Sequence, residues 1–390
     1  MTRRPPPIAA RMADIAPFHV MELMARAQAL EADGRDIVHM EVGEPDFPTP
    51  EPVCEAARAF IATGRVRYTH ALGLPQLREA IAGFYEHRHA LKVDPRRIIV
   101  TAGASGALLL ALGLLVGRDD EWLLPDPGYP CNRHFVRLLE GKPVPLPVLP
   151  EFAYQPTGEQ VRAAWGLRTR ALMVASPANP TGTMLGRARL DDLWRTVANL
   201  GGVLVADEIY QGLTYGTEAT TALSLTDDVF VINSFSKYFN MTGWRLGWLV
   251  VPEGCVRDVE KLAQNLFISP SAPAQYGALA AFRPDTLEIL EYRREEFRRR
   301  RDLLLPGLRR LGFRVPAEPE GAFYIYADIG DLAGDSFEFA SRLIEAAGVA
   351  ATPGLDFGRN APGRHMRFAY TVAADRLQEG LERIGRLLGR

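Results

Sequence analysis

From Arg97 to Pro252 the chain alternates short apolar runs with stretches patterned at helical spacing. "RIIVT" precedes "SGALLLALGLL", "EWLLP" follows, and "ALMVAS" precedes "RLDDLWRTVANL". "GVLVADE", "VFVINS" and "LGWLVVP" complete the series. Runs of Val, Ile and Leu without polar alternation suit strands buried on both faces, as in a parallel sheet covered by helices. The pattern predicts an α/β fold whose large domain has a mostly parallel central sheet flanked by helices.

Beyond it, "ILEYRREEFRRRRDLLLPGL" reads as a helix with Leu290, Phe297 and Leu304 on one side. Its run Arg298 to Arg301 is interleaved with Glu291, Glu295 and Glu296, which makes a solvated helix face rather than a nucleic-acid patch. "GAFYIYADI" reads as a strand, "SFEFASRLIEAAG" as a helix, "RHMRFAY" as a strand and "AADRLQEGLERIGRLL" as a last helix, together a smaller α/β domain. At the other end, the proline-rich "TRRPPPIAAR" predicts an extended leader. A helical pattern runs from Phe18 to Ala32 and is stopped at Gly34. "EVGEPDFPTP" has too many prolines for a helix and reads as a loop. The predicted organisation is a leader over 1–13, the first part of the small domain over 14–48, the large domain over 49–285 and the rest of the small domain over 286–390.

At 390 residues the chain is long for one compact core, which agrees with two domains. The net charge of −2 gives no electrostatic footprint for nucleic acid or an anionic membrane, and leaves small molecules as the expected partners. Cys54, Cys131 and Cys255 are far apart, in no metal-ligand spacing and odd in number. They predict neither a disulfide framework nor a zinc site, and fit a reducing cytoplasm. The N-terminus has no continuous apolar segment and "ALLLALGLLV" is too short to span a bilayer, so neither a signal peptide nor a membrane span is predicted.

In an open α/β sheet, ligands lie beyond the carboxyl ends of the strands. After "RIIVT" comes "AGASGALL", a turn opening a helix, where free amides and the helix dipole can seat a phosphate or simply make a tight turn. After "ALMVAS" comes "PANPTG". Asp207 and Glu208 close a strand predicted to be central and buried, where a carboxylate needs a cationic partner, a helix to cap or solvent. After "VFVINS" come Ser234, Ser236 and Lys237, then Arg245. Lysine occurs only at Lys92, Lys142, Lys237 and Lys261 among 45 basic residues. A lysine amine can lose its proton and attack a carbonyl, whereas arginine cannot. Two hydroxyls, a guanidinium and this amine together describe a site for a phosphorylated carbonyl compound.

The set "GASGAL", "PGYP", "NPTG", "DEIYQGL", "SFSKYFNMTGWRLGW" and "RHMRFAY", in this order and spacing, resembles the class I/II aminotransferases of the aspartate aminotransferase superfamily. These are pyridoxal 5'-phosphate enzymes of fold type I, and the resemblance runs from "EVGEPDF" to the last helix. It implies that Lys237 holds the cofactor as an imine and then acts as the proton-transfer base. Asp207 would keep the pyridine nitrogen protonated, Tyr210 and Asn179 would meet the ring oxygen, and Tyr129 would stack on the ring. The phosphate would fall on Ala104, Ser105, Ser234, Ser236 and Arg245. Tyr68 would reach the phosphate of a neighbouring subunit, which implies a homodimer with shared sites. Arg367, rather than Arg364, would clamp the substrate α-carboxylate, with the Gly43 backbone and Asn179 beside it. No metal is implied.

The departures concern substrate. One bacterial branch of the family carries a lysine at the position of Ser105 to meet a distal carboxylate. Ile15 and Phe18, near the side-chain pocket, are apolar, and His70 stands where proline is usual. Walls without a distal cation favour neutral or aromatic amino acids over dicarboxylic ones. The expected activity is ping-pong transamination between an amino acid and a 2-oxo acid. A carbon–sulfur β-lyase or a cyclopropane-forming synthase would use the same lysine, aspartate and arginine. A transcriptional regulator with an aminotransferase-like sensor would need a DNA-binding module that the first 40 or so residues are too short to supply.

Overall fold

The computed structural model describes residues 7–17 and 19–390. Its strands in chain order are β1 (Val38–Met40), β2 (Ile98–Thr101), β3 (Glu121–Asp126), β4 (Lys142–Pro147), β5 (Thr169–Ala175), β6 (Val203–Asp207), β7 (Phe230–Ser234), β8 (Gly247–Val250), β9 (Tyr324–Asp328), β10 (Val349–Pro353) and β11 (His365–Ala369).

Seven of them form one sheet in the order β2-β8-β7-β6-β5-β3-β4. β4, β3, β5, β6 and β7 run parallel, and β8 is antiparallel to both β7 and β2. β2, β7 and β8 are buried at every position and β6 at all but its first, which is why their apolar runs do not alternate. The other four strands form a second sheet, β1-β10-β11-β9, parallel only between β1 and β10. This is the α/β architecture of fold type I enzymes.

Three strands are absent from the expected set. β4, "KPVPLP", lies at the sheet edge, where the amides of Lys142 and Val148 donate to the Asp120 and Asp126 carbonyls. Its prolines occupy the alternate positions, whose missing N–H groups would face outward, so the edge tolerates them. β1 and β10 are short and buried, and nothing in their local sequence marks a period. The leader also differs from a wholly extended segment, because Ala10–Asp14 forms a 3-10 turn. Phe18 lies outside the described residues; the helix expected from it runs over His19–Ala32.

The helix Pro284–Arg310 continues through Pro306 and turns Leu290, Phe297 and Leu304 into the core. On its outer side Arg298 pairs with Glu295 and Asp302, but the expected solvated face holds only in part, because Arg300 is buried and donates to Asp46 and to the Thr371 carbonyl. Among the described residues, no helix is long and apolar enough to cross a membrane.

Candidate active site

β2, β3, β5, β6 and β7 all deliver their carboxyl ends to one edge of the large sheet, where the sequence-predicted site residues gather. The helix Gly103–Leu115 starts there directly after β2. Gly103 has φ +68°, and a Cβ on it would lie 2.9 Å from Nη2 of Arg245, so the guanidinium rests over the helix start. Gly247 allows the same close approach from β8: a Cβ there would meet Gly103 C at 2.8 Å and Ala104 N at 2.9 Å. The first amides of a helix have no intrahelical acceptor. At Gly103, Ala104 and Ser105 they face a cation, a pairing that suits an anion between them. Beside them, buried Ser234 Oγ lies 3.0 Å from Ser236 Oγ and donates to the Leu246 carbonyl at 3.1 Å.

Lys237 follows these serines, and its Nζ donates to the Gly43 carbonyl at 2.7 Å. Burial lowers its pKa to about 8; Glu44 and Asp207 pull it back up, while Arg367 and Arg245 push it further down. A lysine in this range has a usable fraction of free amine near neutral pH.

Asp207, at the end of β6, is buried with Oδ1 accepting from the Ile209 amide at 3.1 Å. Among the described residues it has no salt bridge, and desolvation raises its pKa to about 6. The sequence left a cationic ligand group, a helix cap and solvent open as its partner. Solvent is removed by burial, and one amide does not satisfy a carboxylate. A protonated ring nitrogen suits the need. Its neighbour Glu208 points elsewhere: Oε1 accepts from the Ala222 amide at 2.7 Å and Oε2 is buried without a partner among the described residues.

Arg367, on β11, is 2 % exposed. Its Nη1 donates to Asn179 Oδ1 at 2.9 Å and its Nη2 to the Glu41 carbonyl, while Nε has no partner among the described residues. The rings of Tyr324 and Phe357 flank the guanidinium, with centroids 4.3 and 4.8 Å from Cζ. It forms no salt bridge with any described carboxylate, so this buried cation lacks a counter-charge that a substrate carboxylate can provide. Arg364, three residues earlier, spends its guanidinium on Asp328 at the surface.

Tyr210 Oη lies 2.8 Å from Tyr324 Oη, and burial raises the Tyr210 phenol. Tyr129 follows β3 and caps the start of the helix Pro130–Leu138; burial raises its phenol too. Glu44 reaches this region from the wall of an open cleft of about 470 Å³, lined also by Phe47, Asn240 and Trp244.

Tyr68, which the resemblance assigns to a neighbouring subunit's site, is 81 % exposed on this chain, and His70 is exposed as well. Ile15 is partly exposed beside the start of the first long helix. Sequence reasoning missed Tyr324, Phe357 and Glu44. In "GAFYIYADI" a tyrosine looks like any strand aromatic, and only the position of Glu44 after Gly43 could have drawn attention to it. The described residues contain no group of three or more His, Cys, Asp or Glu side chains that could hold a metal ion.

A helix start under a guanidinium, an amine of lowered pKa and, among the described residues, a buried aspartate without a cation and a buried arginine without an anion would suit a phosphorylated pyridine aldehyde and an amino acid. Comparison with known proteins identifies the family. Residues 35–384 match the family model described as aminotransferase class I and II. The chain is 38% identical over 377 residues to the valine–pyruvate aminotransferase of Mycobacterium tuberculosis, covering 96% of both chains. It is 37% identical over 383 residues to the aspartate/prephenate aminotransferase of Thermus thermophilus, covering 97% of this chain and 98% of the other. The crystal structure of an aminotransferase from Mycobacterium tuberculosis superposes with a TM-score of 0.95 at 38% identity, covering 98% of this chain and 99% of that one. Site and likeness together make this chain a member of the class I and II aminotransferases, a family of pyridoxal-phosphate enzymes.

Proposed function

We propose that the protein is a ping-pong transaminase that uses pyridoxal 5'-phosphate held by Lys237 and acts on neutral or aromatic amino acids and 2-oxo acids. The observation that carries the reading is Arg367, a buried guanidinium with no carboxylate partner among the described residues, in the same site as the amine of Lys237.

In this reading the amides of Ala104 and Ser105, the hydroxyls of Ser234 and Ser236, and Arg245 hold the phosphate. Tyr129 covers one face of the ring, and Tyr210 and Asn179 meet its 3' oxygen. Asp207 keeps a proton on the ring nitrogen, which its lack of a cation favours. When bound, the cofactor supplies a reactive carbonyl and an electron-withdrawing ring. Arg367 fixes the substrate α-carboxylate, with the Gly43 backbone alongside, and this orients the α-proton toward Lys237. Lys237 Nζ would take that α-proton, and a pKa of about 8 would let the same amine act as base and, once protonated, as acid.

The preference for uncharged side chains is supported by Ser105, which offers no cation, and by Ile15. The valine–pyruvate relative agrees with this preference, while the aspartate/prephenate relative stands against it. Tyr68 supports a homodimer with shared sites, since it lies in an exposed strip with Ile61 and Val66 and takes no part in its own chain's site. The free thiols Cys54, Cys131 and Cys255 fit a cytoplasmic location.

The test is to load the protein with pyridoxal phosphate and add single amino acids without a 2-oxo acid. Stoichiometric 2-oxo acid with no ammonia establishes the transaminase half-reaction, whereas continuous ammonia release would make it a lyase. A kcat/KM series over alanine, leucine, phenylalanine, glutamate and aspartate decides the substrate class. Aspartate in first place would overturn the neutral-substrate reading.

A further inference from the structure

Tyr324 opens β9 and is 1 % exposed. Three contacts meet on it. Its hydroxyl lies 2.8 Å from that of Tyr210. Its ring centroid lies 4.3 Å from Cζ of Arg367. Its hydroxyl also occupies the space a side chain on residue 43 would need, because a Cβ built on Gly43 collides with it.

The strand fixes this placement. Tyr324 pairs with Ala369 and Tyr326 with Arg367, so the tyrosine and the arginine lie on neighbouring strands, two residues apart in register. Just before it, Ala322 has φ +58°, a conformation that costs an alanine energy and needs outside support. Its carbonyl accepts from the hydroxyl of Tyr215 and, at 3.4 Å, from that of Tyr370.

A phenol has one proton. If Tyr210 directs its proton at the ring oxygen of the cofactor, the short contact with Tyr324 requires Tyr324 to be the donor and Tyr210 the acceptor. We infer that Tyr324 is a positioning residue that couples the two halves of the site: its hydroxyl turns the Tyr210 proton toward the cofactor, and its ring holds Arg367 for the substrate carboxylate. A donor chain strengthens its last member, so the contribution of Tyr324 appears only where an acceptor oxygen is present on the ring. The inference rests on the cofactor reading above.

The experiment compares wild type, Tyr324→Phe and Tyr324→Leu. Dissociation constants are measured for pyridoxamine phosphate and for its analogue lacking the 3-hydroxyl, neither of which needs turnover. Tyr324→Phe keeps the ring and removes the donor. It is expected to weaken pyridoxamine phosphate about three- to tenfold, the scale of one net hydrogen bond, and to leave the deoxy analogue unchanged. Tyr324→Leu removes the ring as well. It is expected to raise KM for the amino acid by a further factor of roughly two to ten, the scale of one cation–π contact, with a smaller change in kcat.

Equal weakening of both ligands by Tyr324→Phe, or weakening of neither, would overturn the donor role. A KM that does not rise between Phe and Leu at position 324 would overturn the role toward Arg367. Wild-type protein that binds neither ligand would sink the cofactor reading itself, and this inference with it.

Discussion

The amine of Lys237 donates to the carbonyl of Gly43 at 2.7 Å, bringing together two residues 194 apart in sequence. That carbonyl belongs to the "EVGEPDF" loop, so the amine is held against the segment that, in the proposed function, would lie beside the substrate carboxylate. A backbone carbonyl carries no charge and does not compensate the buried ammonium. This is why desolvation outweighs the pull of Glu44 and Asp207 and leaves Lys237 at about 8.

A depressed lysine is neutral above its folded pKa, so its capture of aldehydes should increase as pH rises through about 8 and then level off. The rate of covalent uptake of pyridoxal phosphate by cofactor-free protein, followed by absorbance from pH 6 to 10, measures this. A profile still climbing at pH 10 would mean that the amine is not desolvated as the structure requires.

Arg367→Lys keeps the charge and loses the planar fork. KM for the amino acid should rise about ten- to a hundredfold, corresponding to the loss of one or two charge-assisted hydrogen bonds. An amine without a carboxylate should react at the wild-type rate in the variant, which separates clamp from scaffold. An unchanged KM would assign the substrate carboxylate to another group.

Glu208 offers a test in stability rather than activity. Burial raises its pKa to about 8, so between about 4.5 and 8 the folded state holds a proton that the unfolded state has released. The stabilising protonated form is fully present below 4.5 and lost as pH rises through 8, at about 1.4 kcal/mol per pH unit in between. Glu208→Gln should remove this slope, so that chemical denaturation shows a smaller loss of stability from pH 6 to pH 8 than wild type. Parallel stability curves for the two proteins would show that Glu208 is ionised in the fold.

Gly43→Ala introduces a methyl group where the Tyr324 hydroxyl stands. Shifting a side chain that is packed on Arg367 and bonded to Tyr210 should cost about 1–3 kcal/mol of stability. It should also lower kcat/KM through the displaced guanidinium. Because Tyr324→Ala itself empties a buried site, the double variant Gly43→Ala, Tyr324→Ala should stay less stable than wild type but lose less than the two single losses summed, and strictly additive losses would count against direct contact.

Much of the site was legible because its residues sit where strands end. The apolar runs of β5, β6 and β7 locate Asn179, Asp207 and Ser234 to Lys237 without any tertiary knowledge, because a buried parallel strand has a recognisable composition and its carboxyl end faces the ligand edge. Gly103 and the helix after it were legible for the same reason. β4 was hidden by prolines that only an edge position excuses, and β10 by a sequence, "VAATP", with no period of its own.

The sequence by itself determined the α/β class and the chemistry available: Lys237, one of four lysines in an arginine-rich chain, placed after two serines and before Arg245. Tertiary structure decided which charges go unanswered. Arg364 and Arg367 lie three residues apart on one stretch of chain, yet one turns out to Asp328 and the other is shut between Tyr324 and Phe357 with no carboxylate partner among the described residues. Asp207 and Glu208 are adjacent, yet only Asp207 faces Lys237. Local sequence sets the type and alternation of side chains, but the packing of distant strands and loops sets their desolvation. Desolvation is what moves the pKa values of these particular groups from their ordinary range.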